Sequence, residues 1–332
     1  MKNILIVGAG FSGAVLARQL AEKNYNVTVI DVRDHVAGNA YDEYHSTKNV
    51  FYHKYGPHIF HTNNGKVFEF LSRFTKWKSY QHQVRAYHEG KYYELPVNAN
   101  AKAEFSDDEI LDIFFKPYTK KMWGVELEEL DPSIKNRVKP RDDYNKLYFP
   151  NDDYQFMPEK GYTYLIKNML DHKNIKIELN RSFPSYYKTF DFIYNCMPID
   201  EYFNFEYGEL PYRSIKFVHK FNEETYVHDD ASVINLTTYD GPTRVTDWSK
   251  FPNSDNTSKM YTEEYPCDYR DNNYERYYPV KDVHGVNREK YLKYKELVNK
   301  DKMQFIGRCG QYVYIDMDMA VNSSLQIAEK VK

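Results

Sequence analysis

The stretch KNILIVGAGFSGAVLARQLAEKNYNVTVID, Lys2 to Asp31, limits the amino-terminal part of the chain to one kind of fold. KNILIVG is a short apolar run with β-branched residues, the pattern of a strand buried on both faces of a parallel sheet. It passes directly into GAGFSG, where Gly8, Gly10 and Gly13 have the G-x-G-x-x-G spacing. The following residues have helical periodicity, and NVTVID reads as a second strand ending on Asp31. A glycine pattern alone is a weak signal, but strand, turn, helix, strand and acid within about thirty residues is a strong one. Gly8 permits the tight turn, Gly10 lets a pyrophosphate reach the backbone, and Gly13 lets helix and strand pack closely. Phe11 and Ser12 open the helix, whose free N–H groups and dipole favour an anion. Asp31 is placed to accept hydrogen bonds from a ribose.

The next residues separate FAD from NAD. VRDHVAGNAYD puts Arg33 just after the acid and Gly38 and Asn39 in a returning turn, more than a simple NAD fold needs. The pattern resembles the second dinucleotide motif of the large FAD family that includes amine oxidases, with Ala37 where the first glycine of that turn usually stands. FAD is the expected cofactor.

Composition excludes several classes. The 332 residues carry a net charge of -3 and are 42% hydrophobic, which argues against a disordered chain, a nucleic-acid binder or a membrane protein. Cys196, Cys267 and Cys309 are far apart and lack metal-ligand spacing, so neither disulfides nor a zinc site is expected. His58 and His61 stand three apart in YGPHIFHT without a third ligand nearby, so no metal is expected there either. The glycine-broken amino terminus reads as a strand and turn rather than an export signal, and no window approaches the roughly 18 apolar residues of a membrane span. A cytoplasmic protein fits best.

Further along, YQHQVRAYHEGKYYELPVN reads as a hairpin turning at Glu89-Gly90. Ser106 is a candidate cap for a short helix with acids in its first turn. FFKPYTKKMWGVELEELDPSIKNRVKPR mixes aromatic, proline and cationic residues and by itself reads either as a badly patterned core element or as a surface for an aromatic, anionic ligand. INLTTYDGPTRVTDWSKF reads as strand, turn, strand, and KMQFIGRCGQYVYIDMDMAVNSSLQIAEKVK as strand, glycine turn and closing helix. Asp316 and Asp318 are candidate paired carboxylates, with helix capping the simpler reading, above all for Asp318.

Taken in order, GAGFSGAV, RDHVAGNAYD, YGPHIFHT, FFKPYTKKMWG, PSIKNR and YVYIDMD resemble the UDP-galactopyranose mutases from Met1 to about Ala320. The resemblance implies an α/β fold: a Rossmann-like FAD-binding domain (1–76, 160–200 and 302–332), an interleaved small helical domain with a mobile substrate loop (98–137), and an antiparallel β-sheet substrate domain (77–97, 138–159 and 201–301). It implies a non-redox isomerisation of UDP-galactopyranose and UDP-galactofuranose for cell-surface glycan synthesis. Reduced FAD supplies the nucleophile and forms a covalent flavin–sugar adduct; NAD(P)H or another reductant keeps it reduced.

Carried over by motif position, Arg137 and Arg244 clamp the diphosphate as catalytic residues, together with His58. Phe114, Phe115, Tyr118 and Thr119 line the base, with Trp123 on the mobile loop. Tyr148, Tyr278 and Tyr314 bond the phosphates, Asp316 stands beside the last, and Asn235 meets the substrate. Gly56 to His61, including His58, Ile59 and His61, runs past the flavin ring. Arg308, Tyr314, Asp316 and Met317 return to it, and His58 and Arg308 support the anionic reduced form.

Two departures are visible. His82 stands where the family commonly has asparagine in the hairpin, which bears on the sugar. Only Ala99 to Ile113 remains of a longer helical insertion that carries the dimer contact in bacterial relatives, so a monomer or a non-standard dimer is expected, which light scattering would read directly. Competing readings are an amine-oxidase-type FAD oxidoreductase, a mutase for a related nucleotide sugar, and a catalytically silent nucleotide-sugar binder.

Overall fold

The structure is a computed structural model that describes residues 2–132, 139–183, 187–254 and 259–331. The apolar run that opens the chain becomes the central strand, Asn3–Val7, of a five-stranded parallel sheet. Its order across the sheet is Ile175–Glu178, Asn26–Ile30, Asn3–Val7, Phe192–Asn195, Met303–Phe305. Ile4 to Val7 are buried because helices cover both faces. The helix Phe11–Glu22 packs on the closing helix Met317–Lys330 and on Tyr162–Leu170.

A seven-stranded sheet forms the second body, ordered Tyr278–Pro279, Tyr212–Phe221, Met260–Asp268, Arg244–Asp247, Val233–Leu236, Val84–His88, Lys91–Leu95. It is antiparallel except where Val233–Leu236 runs parallel to Val84–His88. This differs from the fully antiparallel expectation because two hairpins from distant parts of the chain meet edge to edge there. The Val84–Leu95 hairpin turns at Glu89 and Gly90, both at positive φ (47° and 87°), matching the right-handed twist of its strands. A three-stranded sheet, Phe60–Thr62, Tyr154–Pro158 and Trp77–Ser79, joins the two bodies. The largest hydrophobic cluster accordingly runs from Ile4 and Val15 through Phe60 and Met157 to Trp248 and Met260.

Two short helices, Ala99–Glu104 and Asp107–Ile110, lead into a wider turn, Leu111–Phe115, and the helix Lys116–Trp123. Ser106 caps as expected: its hydroxyl accepts the Glu109 N–H while Glu109 accepts the Ser106 N–H at 2.8 Å. The one-residue widening at Leu111–Phe115 is of the kind found at functional sites. It delivers Phe114 and Phe115 to the edge of the seven-stranded sheet. Among the described residues no helix is long and apolar enough to cross a membrane, and no cluster of three or more His, Cys, Asp or Glu could hold a metal.

Candidate active site

The glycine turn has the geometry its spacing predicts. Gly8 sits at φ 105°, and a β-carbon on Gly13 would stand 1.9 Å from the Gly8 carbonyl oxygen, so only glycine lets helix and strand approach this closely. The helix after it has no side-chain cap and no acid in its first turn. Its leading N–H groups are therefore left for an anion. Asp31 holds the turn from the second strand, accepting the Ala9 N–H at 2.8 Å and the Arg33 N–H at 3.0 Å.

Gly38 comes close over this turn: a β-carbon on it would lie 3.1 Å from the Gly10 Cα. Ala37 donates its N–H to Ala9 O at 2.9 Å and adopts φ 75°, a left-handed conformation that costs a non-glycine residue about 1 kcal/mol. Arg33 is tied by Asn39 Oδ1 at 2.9 Å and Glu275 Oε2 at 2.6 Å and lies over the Tyr55 ring. From the far end of the chain, Gly307 packs against Ser12, where a β-carbon would stand 3.1 Å from the hydroxyl. An uncapped helix, a glycine-lined backbone cradle and a ribose-ready acid together fit an FAD dinucleotide.

A cavity of about 340 Å³ opens beyond this cradle, between the small sheet, the seven-stranded sheet and the helix Lys116–Trp123. His58, Ile59 and His61 form one wall, and Arg308, Tyr314, Asp316 and Met317 form the adjoining one. Phe114, Phe115, Tyr118 and Trp123 line the helical side; His82, Tyr148, Asn235, Arg244 and Tyr278 come from the sheet side. Residues spread from His58 to Met317 thus converge as the motif reading expected.

Two placements differ. Thr119 is buried behind the wall, because Phe115, Tyr118 and Met122 occupy the helical face toward the cavity and Thr119 points elsewhere. Trp123 is not on a loop: it ends the helix, which Gly124 stops at φ 74°, and its ring packs edge-on against Tyr278 and Tyr314. Arg137 lies outside the described residues. Sequence reasoning missed Tyr55, Phe149 and the apolar Val84, Leu95 and Val233, which also line the cavity. Period-two alternation in the hairpin marked an inward face there, but not what the face looks onto.

The electrostatics are set by burial. Arg244 donates from Nε to Glu264 Oε2 at 2.7 Å, and the Glu264 pair keeps its guanidinium charged. Arg308 lies against both the Tyr278 and Tyr314 rings, 5.3 Å from each centroid, the two rings being in contact with each other, and donates to the carbonyls of Tyr277 and Ile315. Burial pushes the Tyr278 hydroxyl up to about 12 and Tyr118 higher still, so both are hydrogen-bond donors at neutral pH. Burial, aided by Arg308 and Arg244, holds the His58 imidazole down to about 4. His58 is therefore neutral at pH 7, and positive charge on that wall comes from Arg308. His82, lowered to about 3 by burial and Arg244, is neutral too and contacts the Tyr80 and Ser232 hydroxyls at 3.4 Å. His61 is held by Asp152 at 2.6 Å and stacks on Phe149 at 3.5 Å, which accounts for it without a metal. Asp318 lies inside the first turn of the helix Met317–Lys330, accepting from the Thr62 hydroxyl and from the Met319 N–H, while Asp316 occupies the N-cap position expected of Asp318.

Behind His58 lies a fully buried His53, whose Nδ1 accepts the His58 N–H at 3.0 Å and whose imidazole is kept neutral by burial. His53, His58 and His82 all have depressed values, so the unfolded chain binds more protons than the native one as pH falls below about 6.5. Stability is then lost as pH falls, by about 1 kcal/mol per pH unit for each imidazole. Asp42, raised to about 6 by burial, and Glu264, also raised, oppose this but are outnumbered. We expect a lower Tm at pH 5 than at pH 7 in calorimetry of the flavin-loaded protein; a flat or rising profile would contradict neutral burial of these three rings.

Comparison with known proteins agrees with this geometry. A family model described as UDP-galactopyranose mutase matches residues 113–314, and one for an NAD(P)-binding Rossmann-like domain matches residues 6–74. A probable UDP-galactopyranose mutase of Klebsiella pneumoniae is 36% identical over 99% of this chain and 94% of its own length. The chain belongs to the UDP-galactopyranose mutase family. As such it is a flavin-dependent isomerase with a Rossmann-like dinucleotide-binding domain. The family relatives include a dTDP-fucopyranose mutase of Escherichia coli, 32% identical over 99% of this chain and 98% of that protein. A crystal structure of reduced UDP-galactopyranose mutase shares the fold, with a TM-score of 0.79 at 15% identity over 100% of this chain and 94% of that one. The Klebsiella alignment extends over 370 positions, more than this chain has residues, so that relative carries segments absent here.

Proposed function

We propose that the chain interconverts UDP-galactopyranose and UDP-galactofuranose, with FAD acting in its reduced form. The observation that carries this reading is Arg244, a part-buried guanidinium anchored by the buried Glu264 in an aromatic cavity that also presents the Tyr118 and Tyr278 hydroxyls. Such a site suits a nucleotide diphosphate. It does not suit the amine of an amine oxidase, which a fixed cation would repel.

Bound and reduced, the flavin would supply the nucleophile for the anomeric carbon. The protein's own part is binding and charge compensation. Arg244 offers fixed donors to the diphosphate as its bond to the sugar breaks and negative charge grows there. Tyr118, Tyr278 and Tyr314 are proposed to bond the phosphate oxygens, and Phe114 and Phe115 to face the base. Arg308, set against both tyrosine rings, compensates negative charge on the cofactor. Neutral His58 orients that face without taking the charge. The aromatic walls keep water from a sugar that has parted from its leaving group.

The domain limits set out above are carried forward as part of this proposal, as is a monomer or non-standard dimer. A second reading, a mutase for a related nucleotide sugar, is favoured by the dTDP-fucopyranose mutase relative and by His82 in the cavity wall. One experiment tests both. Purified enzyme should convert UDP-galactofuranose to the pyranose only after reduction by dithionite or NAD(P)H, without consuming reductant stoichiometrically. Faster turnover of dTDP-fucofuranose would move the substrate to the second reading, and oxygen consumption with peroxide release would return the chain to the oxidases.

A further inference from the structure

Glu264 carries more than an ordinary ion pair would. It stands directly opposite Arg244 in the antiparallel pairing of Arg244–Asp247 with Met260–Asp268, and it is 1% exposed. Its Oε2 accepts the Arg244 Nε–H at 2.7 Å. Its other oxygen, Oε1, is buried and accepts no hydrogen bond among the described residues. A buried carboxylate with one oxygen unserved is costly to keep, and an apolar residue of similar volume often serves stability as well or better. Stability therefore does not explain this side chain.

Geometry does. A guanidinium has donors along two edges, and a carboxylate taken by Nε leaves outward Nη donors for the cavity. Glu264 also abuts the turn beneath His58: a β-carbon on Gly56 would lie 3.1 Å from Oε1 and 2.9 Å from the Phe217 ring, and Gly56 is at φ 80°. The Gly56 carbonyl in turn accepts from His58 Nδ1 at 2.8 Å. One carboxylate thus sits between the anion-facing arginine and the cofactor-facing turn.

We propose that Glu264 is a positioning residue that fixes Arg244 through Nε so that its remaining donors meet the diphosphate in one orientation. The proposal rests on the reading of Arg244 as the diphosphate ligand. Charge alone makes the opposite prediction, because removing a negative group beside an anion site should tighten anion binding. The sign of the effect therefore decides between positioning and simple electrostatics.

The test uses FAD-loaded E264M, E264D, E264Q, R244A and the double variant R244A/E264M, with flavin content checked for each. UDP affinity is measured by titration, and kcat and KM are measured on the reduced enzymes. We expect E264M to weaken UDP binding and raise KM by about tenfold or more, and E264D, whose carboxylate falls short of Nε, to do so severalfold. E264Q keeps an acceptor for Nε and should stay within about threefold of the parent. The double variant should be no worse than R244A alone, since Glu264 has nothing left to position. Parental or tighter UDP binding in E264M, or additive losses in the double variant, would overturn the proposal. If E264M does not retain flavin, parental UDP affinity in E264D overturns it instead. Parental turnover in R244A would remove the diphosphate reading itself, a result distinct from failure of Glu264 to position it.

Discussion

Replacing Arg244 with alanine lowers kcat/KM of the reduced enzyme by at least about 10²-fold, about 3 kcal/mol of transition-state stabilisation. The size follows from where the group sits. Arg244 is held by Glu264, and Tyr118 and Tyr278 line the same cavity. In such surroundings a fixed donor to a developing anion counts for far more than it does on a surface. Much of the loss should fall on kcat, because negative charge on the diphosphate grows as the glycosidic bond breaks. Flavin content should be unchanged, since Arg244 belongs to the seven-stranded sheet and not to the dinucleotide cradle. Steady-state kinetics with UDP-galactofuranose, alongside the flavin absorbance of the same preparation, checks both statements. Turnover within a few fold of the parent would defeat the assignment.

Gly13→Val has the second large effect, of a different kind. The first β-carbon already meets the Gly8 carbonyl oxygen at 1.9 Å, and it stands 3.1 Å from the Ile6 side chain in the buried central strand. Neither the strand nor the helix can yield without opening the cradle between them. The variant should purify without yellow colour and lose several degrees of Tm, because ligand binding no longer favours the native state. Absorbance near the flavin bands against protein concentration gives the occupancy directly. A variant with a full complement of flavin would show that the helix can shift, and that this close approach is not what forms the site.

The contrast between these two variants reflects what could be read along the chain. Gly8, Gly10, Gly13 and Asp31 act through neighbours within about thirty residues, so spacing alone revealed both the turn and its purpose. The same holds for Ser106 with Glu109, and for Glu89-Gly90, where the structure has the capping box and the two positive φ angles that such residues favour. Ala37 is an instructive exception. Its place in the second motif was legible, but its left-handed backbone, bonded to Ala9, was visible only in the structure.

The candidate site was legible where a motif carried it and obscure where packing decided. His58, Arg308 and Tyr314 were picked out by short motifs, yet the motifs did not show that Arg308 lies against two tyrosine rings or that burial keeps His58 neutral. Thr119 and Trp123 were carried over by motif position from the family. Helix phase turned Thr119 away from the cavity, and Gly124 set the helix end that holds Trp123. Tyr55 opens the YGPHIFHT motif but was given no role there, and Phe149 lies in a stretch without a recognisable pattern, so neither was assigned to the site before the walls of the cavity were known.

By itself, then, the sequence determined a Rossmann-like FAD domain, the family, and the residue types of an aromatic, arginine-bearing cavity, because these depend on short-range spacing and motif order. Only the tertiary structure decided that Glu264 anchors Arg244. That pairing depends on the register of two antiparallel strands, and a shift of one residue would put the two side chains on opposite faces of the sheet.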